Sequence, residues 1–345
     1  MSGPDATDGT DWRVFRATGA VQGAAPPPLP DAPPWRRFRG GPPQPPPPDD
    51  PEAALRRLGP GDHVPQLGPE QIDTVNAALL LRRPLLITGP PGIGKSTLAY
   101  LLSRELGLGR VLQWNIVSRT TLRDGLYAYD AIGRAQAIAA WQAVEQRTPT
   151  DGGQPPALGD FVTLGPLGTA LLPYERPRVL LADELDKSDI DLPNDLLHVL
   201  ENGSYDIPEL VRDAADSARV HTDDPRQSAL VSGGRVECRE FPVVLITSNG
   251  EREFPAAFRR RCLPLEMQAP TREQLLAIVS GHLGSLPPDA EAMVDVFLQR
   301  VRAGGTHSLD QLLNAARLTT VDGFRTDGDG RRLIETLLRD LAKGR

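Results

Sequence analysis

The chain has 345 residues, of which 24% are charged, and a formal net charge of −7 at pH 7. Its length predicts about two or three folding units with an ample core, and its two cysteines are too few for a disulfide scaffold or a cysteine-rich zinc module. The net negative charge argues against nonspecific electrostatic binding of nucleic acid by the whole surface. The first residues lack a secretory signal pattern, and no apolar run approaches the roughly 20 residues of a membrane span. We therefore expect a cytoplasmic protein without a membrane partner.

Proline dominates the beginning of the chain, with contiguous runs at positions 26–28 and 45–48. Such a segment favours polyproline II and buries little apolar surface, so residues 1–67 are predicted to be a largely disordered leader. Two aromatic and basic clusters interrupt it, at 12–16 and 35–39. They either dock on a folded surface or belong to a leader without a specific partner.

Order is predicted to begin near residue 68. The predicted elements are a helix at 69–81, a buried strand at 84–88, a helix from 95, a strand at 111–116, a helix at 135–146, a hairpin at 161–172 that turns at Gly165-Pro166, a strand at 179–182, a helix at 192–201, a mobile polar loop at 210–233 and a strand at 243–247. Strands that alternate with helices imply a parallel α/β sheet. Beyond this sheet, capping-box spacings at Thr271 with Gln274 and at Ser308 with Gln311 predict a small all-α bundle.

The motif Gly89-Pro-Pro-Gly-Ile-Gly-Lys-Ser96 matches G-x-x-x-x-G-K-[ST] and lies between a predicted strand and a predicted helix. Its glycines let successive backbone N–H groups point at phosphate oxygens, and the following helix adds its positive end. Lys95 is expected to reach the β- and γ-phosphates, and the Ser96 hydroxyl to ligate Mg²⁺. The predicted nucleotide-binding residues are Gly89, Pro90, Pro91, Gly92, Ile93, Gly94, Lys95, Ser96, Thr97 and Asp183.

Two adjacent carboxylates, Asp183 and Glu184, end the buried strand at 179–182. Buried carboxylates are unfavourable unless they have partners. Asp183 is therefore a candidate metal ligand and Glu184 a candidate general base for an attacking water. At the end of the 243–247 strand, Asn249 is predicted to orient that water, with Thr247 and Ser248 as alternatives.

Three consecutive arginines occupy the segment Phe258-Arg-Arg-Arg-Cys262. They form either a solvated face or an arginine finger that reaches the γ-phosphate of a neighbouring subunit. Consecutive helical residues point about 100° apart, so at most one or two of them face a partner. Arg261 is the first candidate and Arg260 the second.

These motifs together resemble AAA+ ATPases of the MoxR type, over about residues 68–320. The segments Leu164-Gly-Pro-Leu-Gly-Thr-Ala170 and Asp191-Leu-Pro-Asn-Asp-Leu-Leu-His-Val-Leu-Glu201 add to that resemblance. It implies a P-loop NTPase αβα sandwich with a parallel sheet at 68–268 and an all-α lid at 269–345. It also implies ATP rather than GTP, and a ring of like subunits, usually six. An extra helix with flanking strands within 121–175 is expected to face the ring pore, and a hairpin is expected within 204–240.

One departure concerns the lid, because many AAA+ lids place an arginine at the start of their third helix. Residues 306–313 of this chain contain no arginine.

The resemblance predicts Mg²⁺-dependent ATP hydrolysis that remodels a client protein, with a partner that contains a von Willebrand factor A domain. One alternative is a nucleic-acid motor or restriction subunit, against which the mixed charges of 121–175 argue. Another is a nucleotide-gated scaffold, against which the intact pair of Asp183 and Glu184 argues.

Overall fold

The computed structural model describes residues 12–20, 26–59, 67–147, 154–213, 215–287, 289–302 and 307–338. The strands, in chain order, are β1 (Leu85–Thr88), β2 (Leu112–Asn115), β3 (Tyr127–Tyr129), β4 (Val162–Leu164), β5 (Val179–Asp183), β6 (Ser204–Asp206), β7 (Ser217–His221), β8 (Ser228–Ser232), β9 (Arg235–Glu237), β10 (Val243–Ser248) and β11 (Leu263–Glu266). The helices are α1 (Pro51–Leu58), α2 (Pro69–Leu81), α3 (Thr97–Leu106), α4 (Leu122–Leu126), α5 (Ala131–Arg147), α6 (Pro166–Ala170), α7 (Asp191–Asn202), α8 (Pro208–Val211), α9 (Ala256–Arg259), α10 (Arg272–Leu283), α11 (Ala290–Arg302), α12 (Leu309–Thr319) and α13 (Gly328–Leu337).

A five-stranded parallel sheet forms the centre, in the order β11-β1-β10-β5-β2. Successive side chains of a strand point to opposite faces. Leu85 and Ile87 accordingly enter one hydrophobic cluster, while Leu86 enters another. Both faces are therefore buried, which explains the uninterrupted apolar runs of these strands. The predicted αβα sandwich with a parallel sheet is confirmed.

A second sheet, in the order β3-β4-β7-β8-β9-β6, flanks the central one. It contradicts the mobile loop predicted at 210–233, because β7 and β8 form an antiparallel hairpin there. The hairpin predicted to turn at Gly165-Pro166 is also wrong: Pro166 occupies the first turn of α6 instead, where its fixed φ favours a helix start. Helix α5 lies in the chain between β3 and β4, which pair antiparallel, as the resemblance implied.

The C-terminal helices α10 to α13 build the predicted bundle around their own hydrophobic cluster, which includes Leu275, Phe297 and Leu312. Thr271 and Ser308 cap α10 and α12 through the predicted capping boxes. Residues 339–345 lie outside the described part, and the exact domain boundaries at 67/68 and 268/269 stay a prediction. Within the described ranges, no helix is long and apolar enough to cross a bilayer.

The described parts of the leader lie on the folded domain, in contrast to the predicted disorder; residues 1–11, 21–25 and 60–66 lie outside the description. Phe15 of the first aromatic cluster is fully buried. Asn76 of α2 accepts hydrogen bonds from the backbone N–H groups of Val14 and Phe15. The buried Glu105 of α3 accepts from the N–H of Thr18 at 2.9 Å. Composition alone misses this docking because the receiving side chains lie far along the chain.

Residues 26–59 continue as a belt past the amino ends of the central strands. Two proline carbonyls of this belt accept hydrogen bonds from arginine side chains, Pro27 from Arg176 at 3.1 Å and Pro30 from Arg82 at 2.7 Å. In the second aromatic cluster, the Arg36 guanidinium donates to the Leu200 carbonyl at 2.8 Å. The docking interpretation of the two clusters therefore agrees with the structure.

A buried ion pair fixes the β7–β8 hairpin to the central sheet. The Arg178 guanidinium, directly before β5, donates to both carboxylate oxygens of Asp224 at 2.6 and 2.9 Å. The two side chains are 0% and 2% exposed. Arg110, before β2, donates to Asp223 and Asp224 in the same turn. Both arginines thus hold the turn between β7 and β8 from the amino ends of neighbouring strands.

Candidate functional site

The phosphate-binding loop (P-loop, residues 89–96) joins β1 to α3. All three of its glycines have positive φ angles, with Gly89 at +148°, Gly92 at +74° and Gly94 at +90°. Side chains rarely tolerate that backbone region, whereas glycine does. The glycine pattern of the motif is therefore explained by a curled loop in front of a helix N-terminus, which is an arrangement suited to anions.

Lys95 is only 6% exposed, and its ammonium lies inside the loop. It donates to the carbonyls of Gly89 and Pro90, both at 2.8 Å, and to Oδ1 of Asn249 at 2.7 Å. Burial lowers the pKa of Lys95, and three nearby carboxylates oppose this shift: Asp186, Asp183 and Glu184. The lysine thus links the P-loop with the ends of β5 and β10.

Ser96 and Asp183 meet at the carboxyl edge of the sheet. The Ser96 hydroxyl donates to Oδ1 of Asp183 at 2.7 Å, and the hydroxyl of Thr247 donates to the same oxygen at 2.6 Å. The register explains the second contact, because β5 and β10 pair in parallel with Ala182 opposite Ile246. Hydroxyl and carboxylate oxygens are the ligands that Mg²⁺ prefers, so Ser96 and Asp183 fit this ion.

Glu184 has a left-handed backbone, with φ +62° and ψ +47°. Such a conformation is strained for a residue other than glycine and is often found at functional positions. Its N–H donates to the Thr247 hydroxyl at 2.8 Å. Its carboxylate accepts from Nδ2 of Asn249 at 3.3 Å and from Lys187 at 2.6 Å. The hydrogen bond to Glu184 raises the pKa of Lys187. The structure therefore places Asn249 beside Glu184, as the sequence predicted.

Asp186 is a residue that sequence reasoning missed. Its side chain is 3% exposed, and its Oδ2 accepts from the backbone N–H groups of Asn249 and Glu251 at 2.9 and 3.0 Å. It thereby anchors the loop that carries the Asn249 side chain. The available signal was a third acidic residue two positions after Glu184, but only the fold reveals which backbone it holds.

The two candidate arginine-finger residues, Arg261 and Arg260, lie away from the P-loop cavity of their own chain. Arg261 forms an ion pair with Glu201 at the end of α7 and also donates to the Ala257 carbonyl at 3.1 Å. Arg260 is exposed, and Arg83 donates to its carbonyl. Neither Arg260 nor Arg261 lines the cavity in front of the P-loop of its own chain.

The lid contacts the P-loop at the start of α12, inside the segment 306–313 that lacks an arginine. The N–H of Leu309 donates to the Gly92 carbonyl at 2.9 Å. A Cβ atom on Gly92 would lie 2.5 Å from Cα of Ser308, so the two backbones touch. The lid is thus coupled to the P-loop through main-chain contact. Residues 303–306 are outside the described part.

A cavity of about 1120 Å³ opens in front of the P-loop. The predicted site residues that line it are Gly92, Ile93, Gly94, Lys95, Ser96, Thr97, Asp183, Glu184 and Asn249. The predicted residues Gly89, Pro90 and Pro91 do not line it. Thr247, a second choice from the sequence, does. Parts of α1, α2, α10 and α12 complete the wall, and the volume is sufficient for a nucleotide.

Comparison with known proteins identifies a family and many similar solved structures, two of which are described below. The model of the AAA domain (dynein-related subfamily) matches residues 84–262, more than half of the chain. The RuvB Holliday junction branch migration motor of Thermotoga maritima is similar at 15% identity and a TM-score of 0.37, over 78% of this chain and 67% of that chain. A variant of that RuvB is similar at 16% identity and a TM-score of 0.38, with the same coverage. No protein with a curated description matches the sequence significantly.

Proposed function

The chain belongs to the AAA domain family, in its dynein-related subfamily, and we propose that it is a Mg²⁺-dependent, ring-forming ATPase of the MoxR type that remodels a client protein. ATPase activity follows from the family. The observation that supports its chemistry is the convergence of Lys95, the pair of Ser96 and Asp183, and the pair of Glu184 and Asn249 at one edge of the sheet.

Binding is assigned to the P-loop and the end of β5. The N–H groups of the loop and the Lys95 ammonium would hold the phosphates of ATP, and Ser96 and Asp183 would hold Mg²⁺. When bound, Mg²⁺ neutralises negative charge that develops on the transferred phosphoryl group. Thr247 keeps the Asp183 carboxylate in place through its 2.6 Å hydrogen bond.

Proton transfer is assigned to Glu184. Its carboxylate takes a proton from the water whose oxygen attacks the γ-phosphorus, while the bond to the leaving oxygen of ADP breaks. Asn249 orients this carboxylate through Nδ2, and Asp186 holds the backbone of Asn249. Lys187 forms an ion pair with the same carboxylate.

The test of this assignment is Glu184→Gln, with Glu253→Gln as the control. Glu253 is an exposed carboxylate on the loop after β10 and does not line the cavity. We expect Glu184→Gln to bind ATP but to lower the turnover number about 10²- to 10⁴-fold, whereas Glu253→Gln keeps the wild-type rate. A Glu184→Gln variant that turns over ATP at a rate close to that of the wild type would refute the role of Glu184.

The proposal of ring assembly is supported by the positions of Arg261 and Arg260, which lie away from the P-loop of their own chain. In a ring, one of them would stabilise the γ-phosphate of a neighbour. Arg261→Ala subunits and Glu184→Gln subunits should each be inactive alone. Mixed together they should regain ATP hydrolysis, because a Glu184→Gln subunit supplies Arg261 to a neighbour that retains Glu184. Mixtures that stay inactive for both Arg261→Ala and Arg260→Ala would oppose a finger in trans.

The client is proposed to carry a von Willebrand factor A domain, on the sequence resemblance alone. Glu184→Gln in ATP should hold the assembled state, and the double variant Lys95→Ala/Glu184→Gln should not bind nucleotide. In affinity pull-downs, proteins with such a domain should be enriched with the Glu184→Gln variant and absent with the double variant. Enrichment of nucleic acid instead would favour the motor alternative.

A further inference from the structure

The leader belt ends in α1, and this helix reaches the nucleotide cavity. The Asp50 carboxylate caps its start by accepting from the N–H of Ala53 at 2.9 Å. Its last residue, Leu58, is 2% exposed and belongs to the same hydrophobic cluster as Leu98 and Leu102 of α3. Helix α1 is therefore packed on the helix that follows the P-loop.

Three consecutive residues of α1 line the cavity that also contains Lys95 and Ser96: Arg56, Arg57 and Leu58. At its C-terminal end, α1 meets the lid, where a Cβ atom on Gly59 would lie 3.2 Å from the ring of His282 in α10. Ile278 and His282 of α10 line the same cavity. One part of its wall is thus shared by the leader and the lid.

The two arginines of this wall differ in their contacts. The Arg57 guanidinium lies 5.7 Å from the centroid of the Tyr100 ring in α3 and so belongs to the packing of α1. Arg56 is exposed and, among the described residues, forms no hydrogen bond, ion pair or ring contact. A planar guanidinium stacks on aromatic rings and donates to oxygen atoms. Arg56 is therefore available to a molecule in the cavity.

We propose that α1 completes the nucleotide site, with Arg56 contacting the nucleoside part of bound ATP or ADP. The P-loop takes the phosphates, so the rest of the nucleotide must occupy the remaining space, whose wall includes α1 and α10. The leader is then part of the binding site. This inference rests on the proposed function, because it requires a nucleotide in the cavity.

The experiment compares wild type, Arg56→Ala and Arg37→Ala in the full chain. Arg37 is a matched control, since it is an exposed leader arginine whose one hydrogen bond within the described residues goes to the Ala32 carbonyl of the belt. Affinity is measured for fluorescently labelled ADP, and for inorganic tripolyphosphate through its displacement of that ADP. Thermal unfolding of each variant verifies that the fold is unchanged.

Arg56→Ala should weaken ADP binding about three- to tenfold and leave tripolyphosphate binding unchanged, whereas Arg37→Ala should leave both unchanged. Equal weakening of both ligands by Arg56→Ala would overturn the nucleoside contact, and so would ADP affinity equal to that of Arg37→Ala. A wild-type chain that binds neither ligand would refute the proposed function together with this inference. If the wild type binds both ligands and Arg56→Ala binds ADP equally well, this inference fails while the proposed function stands.

Discussion

The hydroxyl of Thr247 connects the two acidic residues at the end of β5. It donates to the Asp183 carboxylate and accepts from the N–H of Glu184, so one side chain positions both the candidate metal ligand and the candidate base. The sequence places a threonine near the end of a buried strand, but it does not show that β10 lies directly beside β5. The choice between Thr247 and Asn249 therefore required the register of the sheet.

Thr247→Val should reduce ATP turnover about 10- to 100-fold, because a hydrogen bond to a charged group contributes roughly 1.5–3 kcal/mol. Valine has nearly the same shape, but it neither donates to Asp183 nor accepts from Glu184. Steady-state kinetics should show the loss in kcat, with Thr247→Ser as the control that keeps the hydroxyl and most of the rate. Equal rates for the valine and serine variants would contradict this role.

At the scale of elements, the hairpin of β7 and β8 depends on the buried pair of Arg178 and Asp224. Asp224→Ala would leave the Arg178 guanidinium buried without its carboxylate, which is destabilising by about 3–5 kcal/mol. Asp223→Ala is the neighbouring control, since that side chain is 24% exposed and water can partly replace its pair with Arg110, so a smaller loss is expected. Chemical denaturation of both variants measures the difference. Similar losses for the two would show that the pair does not hold the hairpin.

The elements differ in how far the sequence alone predicts them. The P-loop, its strand and its helix are predictable because a local motif and local periodicity define them. The local pattern does not predict the β7–β8 hairpin, since only Val220, Ala229 and Val231 of its strands are buried and polar neighbours obscure the alternation. The family resemblance did imply a hairpin within 204–240, which β7 and β8 form. The leader illustrates a third case: its proline content predicts disorder, whereas Asn76 and Glu105, which hold it, are ordinary helical residues until the chain folds.

At the scale of the whole molecule, the lid and the nucleotide domain are coupled through Gly92. Gly92→Ala would place a methyl group 2.5 Å from Cα of Ser308, so the lid must shift. We expect Gly92→Ala to bind ATP more weakly than Gly323→Ala, as measured by titration. Gly323 has a similarly positive φ of +82°, but a Cβ atom there would have no neighbour within 4 Å. Both substitutions strain a backbone with positive φ, but Gly92 lies in the P-loop itself, so the difference reports on the P-loop together with its lid contact. Equal affinities would mean that the lid contact does not contribute to the site.

The leader belt has a consequence for the order in which the protein forms during synthesis. Its contacts span long stretches of sequence: Leu200 lies 164 positions after Arg36, and Glu237 lies 198 positions after Arg39. Residues 26–59 therefore leave the ribosome well before their partners exist. A segment that waits in this way is exposed to pairing with other unfinished chains. Its prolines lack the N–H groups that a β-ladder needs, so the composition of the belt opposes such pairing and protects the nascent chain from aggregation.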